Sequence, residues 1–419
     1  MNISIFGLGY VGSVTAACLS EIGHRVIGVD ILPQKVINLQ NGIPPVKEPQ
    51  LEELLEKNIT AGNLSFSMNV ADAIRNSECA IIAVGTPSDE AGNVNLIAVE
   101  RCIESIAGVL KLDNRKEFSI IIRSTVPPGT TIRMEKLAKN TLGEACKLTF
   151  CMNPEFLREG VAVKDFFEPS LIVFGSDASE AKEKFENVYE GIVAQAEWLD
   201  TKTAELVKYT NNAFHALKVA FANEIGRIAK AYETDGKAVM ELLCADTKLN
   251  ISTKYLRPGF AFGGSCLPKD LRGLKSVATA KAVRVPLVRA ITESNDEHIY
   301  SVLNEVIAKN VNRVAILGIV FKTGTDDVRE SASLRLVQLL LDHGIEIKMY
   351  DHNLEKEALM GTNRRYIEEI VPNWDNYYTE SIEDLFEFSS LIVVSNKEKI
   401  YEDWLVEKAQ RGKVIMKLY

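Results

Sequence analysis

Gly7-Leu8-Gly9-Tyr10-Val11-Gly12 constrains this chain more than any other stretch, because it follows a short apolar strand, Asn2 to Phe6, and opens a helical pattern through Ala16, Leu19 and Ile22. Strand, glycine turn and helix in that order make the first unit of a parallel α/β sheet. The glycines serve a tight turn and a close backbone approach to a pyrophosphate, while the helix N-terminus points its positive end at the phosphates. A second strand, Arg25 to Val29, ends in Asp30, eighteen positions after Gly12. A carboxylate there meets the adenosine ribose hydroxyls and repels a 2′-phosphate, which predicts NAD rather than NADP, with Lys35 a partial counterweight. A bare glycine turn without a nucleotide is the competing reading, and the full strand-turn-helix-strand-acid context counts against it.

The alternation continues. Ala80 to Val84 is an expected strand ending in Gly85-Thr86-Pro87, and Ser119 to Arg123 is another ending in Ser124-Thr125-Val-Pro-Pro-Gly129. In an open parallel sheet ligands lie beyond the carboxyl ends of the strands, so Thr86 and Thr125 are candidates to touch cofactor or a catalytic water, against a plain role as turn caps. Thr149 to Met152 leads into Asn153-Pro-Glu155-Phe-Leu-Arg-Glu159-Gly160, where Glu155 is a candidate general base or else a solvated turn residue. Leu171 to Phe174 closes a first domain near residue 200.

Thr201 to Tyr232 is a long helical pattern without proline, with Lys208, Asn212 and His215 at i, i+4 and i+7 on one face. The helix is apolar over most of its surface, which predicts burial and packing against a second subunit. The segment from Asp235 to Asn295 is helical around an irregular loop, Phe260-Ala-Phe-Gly263-Gly264-Ser-Cys266-Leu-Pro-Lys269-Asp270. Glycines before Cys266 permit close approach of a ligand, and nearby lysines favour its thiolate; a buried structural cysteine is the alternative. Arg313 to Leu317 with Gly318 starts a second strand-glycine turn, followed by Lys322 and Arg329, a helix at Leu334 to Leu341, and strands at Ile345 to Tyr350, Leu391 to Val394 and Lys413 to Met416. This second α/β domain lacks a full glycine fingerprint, which argues against a second NAD; glycine, Lys322 and Arg329 beside a strand end suit a nucleotide diphosphate, with an ordinary αβ loop as the alternative. The expected fold is two Rossmann-like, doubly wound parallel-sheet domains, 1–200 and 305–419, with a helical region at 201–304 between them led by the long central helix.

A net charge of −9 over 419 residues leaves no basic footprint for nucleic acid or an anionic membrane, so anionic ligands must be held locally. The apolar start lacks a basic leader and no apolar run reaches spanning length, which predicts an unexported protein. Seven scattered cysteines do not form a disulfide framework and point to a reducing cytoplasm; no metal site is expected.

An NAD domain, a second nucleotide-binding α/β domain and a cysteine among lysines, a glutamate and an asparagine suit a four-electron oxidation. An alcohol gives up hydride to become an aldehyde, a thiolate adds to it, a second oxidation gives a thioester, and water releases an acid. The motifs GLGYVG at 7–12, GTP at 85–87, STVPPG at 124–129, NPEFLREG at 153–160, FGGSCLPKD at 262–270 and FKTGTDDVRES at 321–331 together resemble the nucleotide-sugar 6-dehydrogenases over nearly the whole chain. Within that family the runs at 208–226 and 248–270 are similar to the branch acting on GDP-mannose; Lys254, where a tyrosine or bulky residue is expected, keeps UDP-glucose as the alternative. An inactive NAD-binding assembly protein is a further alternative, opposed by the presence of Cys266, Lys208 and Glu155.

The resemblance implies roles residue by residue. Cys266 would be the nucleophile, Glu155 with Thr125 would activate water, Lys208 and Asn212 would hold the C6 oxygen, and Asp270 would support proton transfer. Glu159, His215, Asn223, Tyr255, Arg257, Phe260, Gly263 and Lys322 would meet the sugar nucleotide. Tyr10, Val11, Asp30, Lys35, Thr86, Thr125, Lys269 and Arg329 would meet NAD. It also implies a homodimer about the central helix, with Arg257 reaching the partner's site, and a uronate product destined for polysaccharide or glycoconjugate synthesis.

Overall fold

The computed structural model describes residues 1–87, 89, 93–143, 146–252, 259–264, 267–321, 327–354, 361–408 and 413–419, with only the backbone described at 269, 270, 273, 277, 361 and 362. The chain divides into two compact units, Met1–Ala216 and Leu217–Tyr419.

The first unit is built on eight strands: β1 Asn2–Phe6, β2 Arg25–Val29, β3 Leu64–Ser67, β4 Cys79–Ile82, β5 Glu117–Ile122, β6 Lys147–Met152, β7 Ile172–Gly175 and β8 Ala196–Leu199. They lie in the order β3-β2-β1-β4-β5-β6-β7-β8. From β3 to β6 every pairing is parallel. The chain starts in the middle, winds outward through β2 and β3, then crosses back to β4 on the other side of β1. That reversal opens a crevice beyond the ends of β1 and β4. Alternate residues feed opposite faces: Ile3, Ile5, Cys79 and Ile81 belong to one core, Phe6, Ala80, Ile82 and Ile120 to the other. A strand buried on both faces is mostly apolar on both, and a polar exception needs a partner inside, as Ser4 Oγ has in the Cys79 carbonyl at 3.3 Å.

β7 and β8 pair in parallel with each other but join β6 through a single antiparallel bridge, Met152 to Gly175. Side chains supplement it: Ser176 Oγ donates to the Phe150 carbonyl at 2.7 Å and Asn153 Nδ2 to the Val173 carbonyl at 2.8 Å. β3 and β8 lie beyond the strands that the pattern announces. Both lie at the sheet edges and are partly exposed, so their runs Leu-Ser-Phe-Ser and Ala-Glu-Trp-Leu mix polar residues among apolar ones and lack the continuous apolar signal of the inner strands.

The central helix, Thr201–Ala231, forms as its spacing predicts. Its first turns are buried at Thr201, Ala204, Glu205 and Lys208. The expectation of burial along its length is not met in the single chain, where Phe214, Leu217 and Val219 are 38, 45 and 62 % exposed. A helix of 31 residues is about 46 Å long.

The second unit adds helices Gly236–Ala245, Leu267–Ala280 and Pro286–Ile307 and a parallel sheet of β9 Arg313–Leu317, β10 Glu346–Tyr350, β11 Leu391–Val394 and β12 Val414–Lys417, in the order β10-β9-β11-β12. Glu224, buried near the end of the central helix, caps the Pro286 helix by accepting from the Leu287 and Val288 amides at 2.8 and 3.1 Å. The six cysteines among the described residues are free, and no helix among those residues is long and apolar enough to cross a membrane.

Glu205 fixes the start of the central helix to the turn after β5. Its wholly buried carboxylate accepts from the Thr131 amide at 2.7 Å and from the Gly129 amide, the open donors of helix Thr130–Leu142. Glu205→Ala leaves the buried Thr131 amide and the half-buried Gly129 amide without acceptors and is expected to cost about 3 kcal/mol in urea unfolding. Glu205→Gln, which keeps one acceptor oxygen, is expected to lose about half as much.

Candidate active site

The crevice at the topological switch is a cleft of about 720 Å³. Gly7, at φ +92°, makes the turn out of β1, and a β-carbon at Gly12 would run into the Gly7 carbonyl oxygen. Helix Tyr10–Glu21 therefore starts hard against the end of β1. Gly9 has open space where its β-carbon would be, a cradle for a phosphate. At the far side Asp30 accepts from the Leu8 amide at 2.8 Å, the Leu32 amide at 3.0 Å and Lys35 Nζ at 2.8 Å. Burial alone would raise the Asp30 carboxyl, but the Lys35 ammonium and the two amides hold it below the usual carboxylate range. The second unit repeats the device: Gly318, at φ +96°, follows β9, and buried Asp351 accepts from the Ile319 and Val320 amides at 2.6 and 2.9 Å.

Nine of the expected residues share the cleft: Gly7, Gly9, Tyr10, Val11, Asp30, Lys35, Thr86, Thr125 and Glu155. Thr86 Oγ1 donates to the Thr125 carbonyl at 2.8 Å, locking the turns after β4 and β5 together. The donor set fits a dinucleotide: an open glycine turn at a helix N-terminus, a ribose-facing carboxylate, and an apolar floor of Val29, Val70 and Val84.

Glu155 lies beyond β6, where a second cavity of about 300 Å³ meets the first; it lines both, as does Arg123. Its Oε2 accepts from the Leu157 amide at 2.8 Å and its Oε1 takes Lys208 Nζ at 2.8 Å, with side chains only 12 % and 8 % exposed. Lys208 Nζ also lies 5.7 Å from the Phe156 ring centroid. The carboxylate and ammonium expected to handle the reacting oxygens are thus already together. His215 lines the second cavity, whereas Asn212, Asn223 and Glu159 are exposed.

Arg123 went unnoticed in the sequence. It is buried, and donates from Nε to Thr15 Oγ1 at 3.1 Å and from Nη1 to Asn153 Oδ1 and the Tyr189 hydroxyl, each at 2.6 Å. A charge directly after the largely apolar strand β5, Glu117–Ile122, is the available signal.

In the second unit, the Phe260–Gly264 stretch is clamped to the Pro286–Ile307 helix: the Phe262 amide donates to Asn295 Oδ1 at 2.8 Å and Asn295 Nδ2 to the Phe262 carbonyl at 3.0 Å. A β-carbon at Gly263 would collide with the Glu330 carbonyl oxygen, and one at Gly264, φ +87°, with the Phe321 ring. What these glycines approach is therefore the chain's own segment after β9. Glu330 is held by a two-pronged pairing with Arg272 at 2.6 and 2.8 Å. Arg329 pairs with Asp327 at 2.7 Å. Cys266, Tyr255, Arg257 and Lys322, with Lys254, lie outside the described residues, as do the side chains of Lys269 and Asp270.

The chain matches the UDP-glucose/GDP-mannose dehydrogenase family in three domains: NAD binding over residues 1–193, central over 202–297 and UDP binding over 315–417. It is 40% identical to a GDP-mannose 6-dehydrogenase of Pseudomonas savastanoi pv. phaseolicola, covering 100% of this chain and 96% of that one. A UDP-glucose 6-dehydrogenase of Haloferax volcanii is 36% identical over 84% of this chain and 83% of its own. Among solved structures, a ternary complex of GDP-mannose dehydrogenase from Pseudomonas aeruginosa superimposes with a TM-score of 0.94 at 38% identity, over 100% of this chain and 96% of that one. A UDP-glucose dehydrogenase from Pyrobaculum islandicum gives 0.58 at 32%, over 99% and 93%.

Because the Asp30 carboxyl titrates lower folded than unfolded, its contribution to stability is full above the ordinary carboxylate range and lost as pH falls through its lowered value. Asp30→Asn turns an amide donor toward the Leu8 N–H or Lys35. The expected loss is about 2 kcal/mol at pH 7 in urea unfolding, with the gap to wild type closing below about pH 4. A gap independent of pH would rule out this charge arrangement.

Proposed function

The chain belongs to the UDP-glucose/GDP-mannose dehydrogenase family, and we propose that it oxidises the C6 alcohol of GDP-mannose to the carboxylate of GDP-mannuronate, with two NAD reduced per sugar. The observation that carries this reading is the Glu155–Lys208 pair on the wall of the NAD cleft, together with full-length likeness to relatives called GDP-mannose 6-dehydrogenase. Relatives called UDP-glucose 6-dehydrogenase match less of the chain, and UDP-glucose is the alternative substrate.

Gly7, Gly9, Tyr10, Val11, Asp30, Lys35 and Thr86 hold NAD, which when bound accepts hydride from C6. Lys208 and Asn212 bind the C6 oxygen and stabilise the negative charge that develops on it as its proton departs. The Cys266 thiolate adds to the resulting aldehyde carbon, giving a thiohemiacetal. Loss of a second hydride and the hydroxyl proton leaves a thioester. Glu155, with Thr125, takes a proton from water as that water attacks the thioester carbonyl, and the C–S bond breaks to return the thiolate and release the acid. Asp270 supports these proton transfers, and Lys269 and Arg329 complete the cofactor contacts. Glu159, His215, Asn223, Tyr255, Arg257, Phe260, Gly263 and Lys322 hold the sugar nucleotide. The organisation follows three parts, 1–200, 201–304 and 305–419. The enzyme works as a homodimer in the reducing cytoplasm, a reading supported by free cysteines and by the exposed apolar Leu217, Val219 and Leu242.

NADH formed per sugar consumed is the deciding measurement, with GDP-mannose and UDP-glucose offered separately. Two NADH per GDP-mannose are expected, abolished in Cys266→Ala; the same yield from UDP-glucose alone would move the substrate and keep the chemistry. Glu155→Gln is expected to slow turnover by about 10² to 10⁴ and to accumulate a sugar-nucleotide thioester on Cys266 visible by mass spectrometry. A slow variant with no adduct would remove Glu155 from the water step. Sedimentation is expected to give twice the chain mass of 46.4 kDa, and a monomer at working concentration would end the dimer reading.

A further inference from the structure

Glu48 stands between helices Pro33–Gln40 and Leu51–Thr60, with its side chain buried. A carboxylate removed from water needs donors. Here the donors are uncharged and come from two separate places. Oε1 accepts from the Ala162 amide at 2.8 Å, and Oε2 accepts from the Gly160 amide at 2.7 Å and from the Tyr10 hydroxyl. The Gly160 amide also reaches the Tyr10 hydroxyl oxygen, at 3.1 Å.

Tyr10 is the first residue of the helix that opens the cofactor site and it lines the cleft. Gly160 is the closing end of the loop that starts at Asn153 and carries Glu155. The opening end of that loop is fixed by Arg123 on Asn153. Its closing end is fixed by Glu48, and through Glu48 it is fixed to the cofactor turn. Burial, with the hydrogen bond to Glu48, pushes the Tyr10 phenol well above its ordinary value, so it remains a donor at any working pH. An amide in place of the carboxylate does not serve all three donors, since one of its two positions is itself a donor.

We propose that Glu48 is a positioning residue that makes the placement of the Glu155 loop depend on occupancy of the cofactor turn. Dinucleotide seated against Tyr10 steadies the phenol, the phenol steadies Glu48, and Glu48 orders residues 158–162 before the sugar nucleotide arrives. The inference rests on the reading of the cleft as the NAD site and of Glu155 as the group that activates water.

Hydrogen exchange of the full-length protein, with and without NAD and with no sugar nucleotide present, tests it independently of turnover. In the wild type NAD is expected to slow exchange at residues 7–12 and at 158–162. Glu48→Gln keeps an oxygen for Ala162 but turns an amide donor on Gly160, and Tyr10→Phe removes the cofactor-side link together with the longer contact from the Gly160 amide, leaving Glu48 as the acceptor for Gly160 and Ala162. In both, NAD is expected still to protect 7–12, while its effect on 158–162 shrinks by about tenfold, the weight of one hydrogen bond. Should Glu48→Gln fail to fold, Tyr10→Phe decides alone. Protection of 158–162 that survives in the variants, or that is missing in a wild type whose 7–12 turn is protected, overturns the proposal. No protection at 7–12 in the wild type would instead overturn the cofactor reading, and the proposal with it.

Discussion

A single steric fact at Gly12 organises the first unit: no β-carbon fits between the helix and the Gly7 carbonyl oxygen. The helix therefore begins where β1 ends, and its unpaired amides face the crevice left by the reversal of strand order. Asp30 at the end of the next strand accepts from Leu8 inside the same turn, so turn and acid hold each other in place. Cofactor geometry is thus a property of backbone packing. The repetition of the motif at Gly318 and Asp351 shows the same solution reached twice in one chain.

The loop from Asn153 to Gly160 is the other determinant. It is held at its start by a buried guanidinium and at its close by a buried carboxylate, and between them Glu155 meets Lys208. A buried ion pair is weak evidence of a stability role, because desolvation offsets most of the attraction, while removing one partner costs about 3 to 5 kcal/mol. Its place on the cleft wall, with the Leu157 amide on the second carboxylate oxygen, is the observation on which the proposed chemical role rests.

Much of this was legible in the residues alone. Buried parallel strands are continuous apolar runs and glycine turns have a fixed order, so β1, β2, β9 and β11 match the expected spans to within a residue. Nine expected site residues line one cleft because the topology collects strand ends there: six sit in the turns just beyond β1, β2, β4, β5 and β6, while Tyr10 and Val11 open the first helix and Lys35 lies on helix Pro33–Gln40. What stayed hidden depends on contacts distant in sequence. Glu48 lies 112 positions from Gly160, and nothing in Pro-Val-Lys-Glu-Pro announces a buried carboxylate. Arg123 looks like the end of a strand until its partners on Thr15, Asn153 and Tyr189 are known. The apolar surface of the central helix signals a face to be covered without saying what covers it, and in the single chain Phe214, Leu217 and Val219 are exposed.

The join between β6 and β7 has a consequence for how the outer ribbon is held. A ladder of backbone bonds is indifferent to side-chain identity, whereas this join uses one bridge and the side chains of Ser176 and Asn153. Changing Ser176 alters how the outer ribbon is tethered without touching the paired strands from β3 to β6, whereas Asn153 also accepts from Arg123 and Tyr189. At Ser176, therefore, one side chain and one bridge, rather than a backbone ladder, set how the outer ribbon meets the sheet that carries the cofactor cleft.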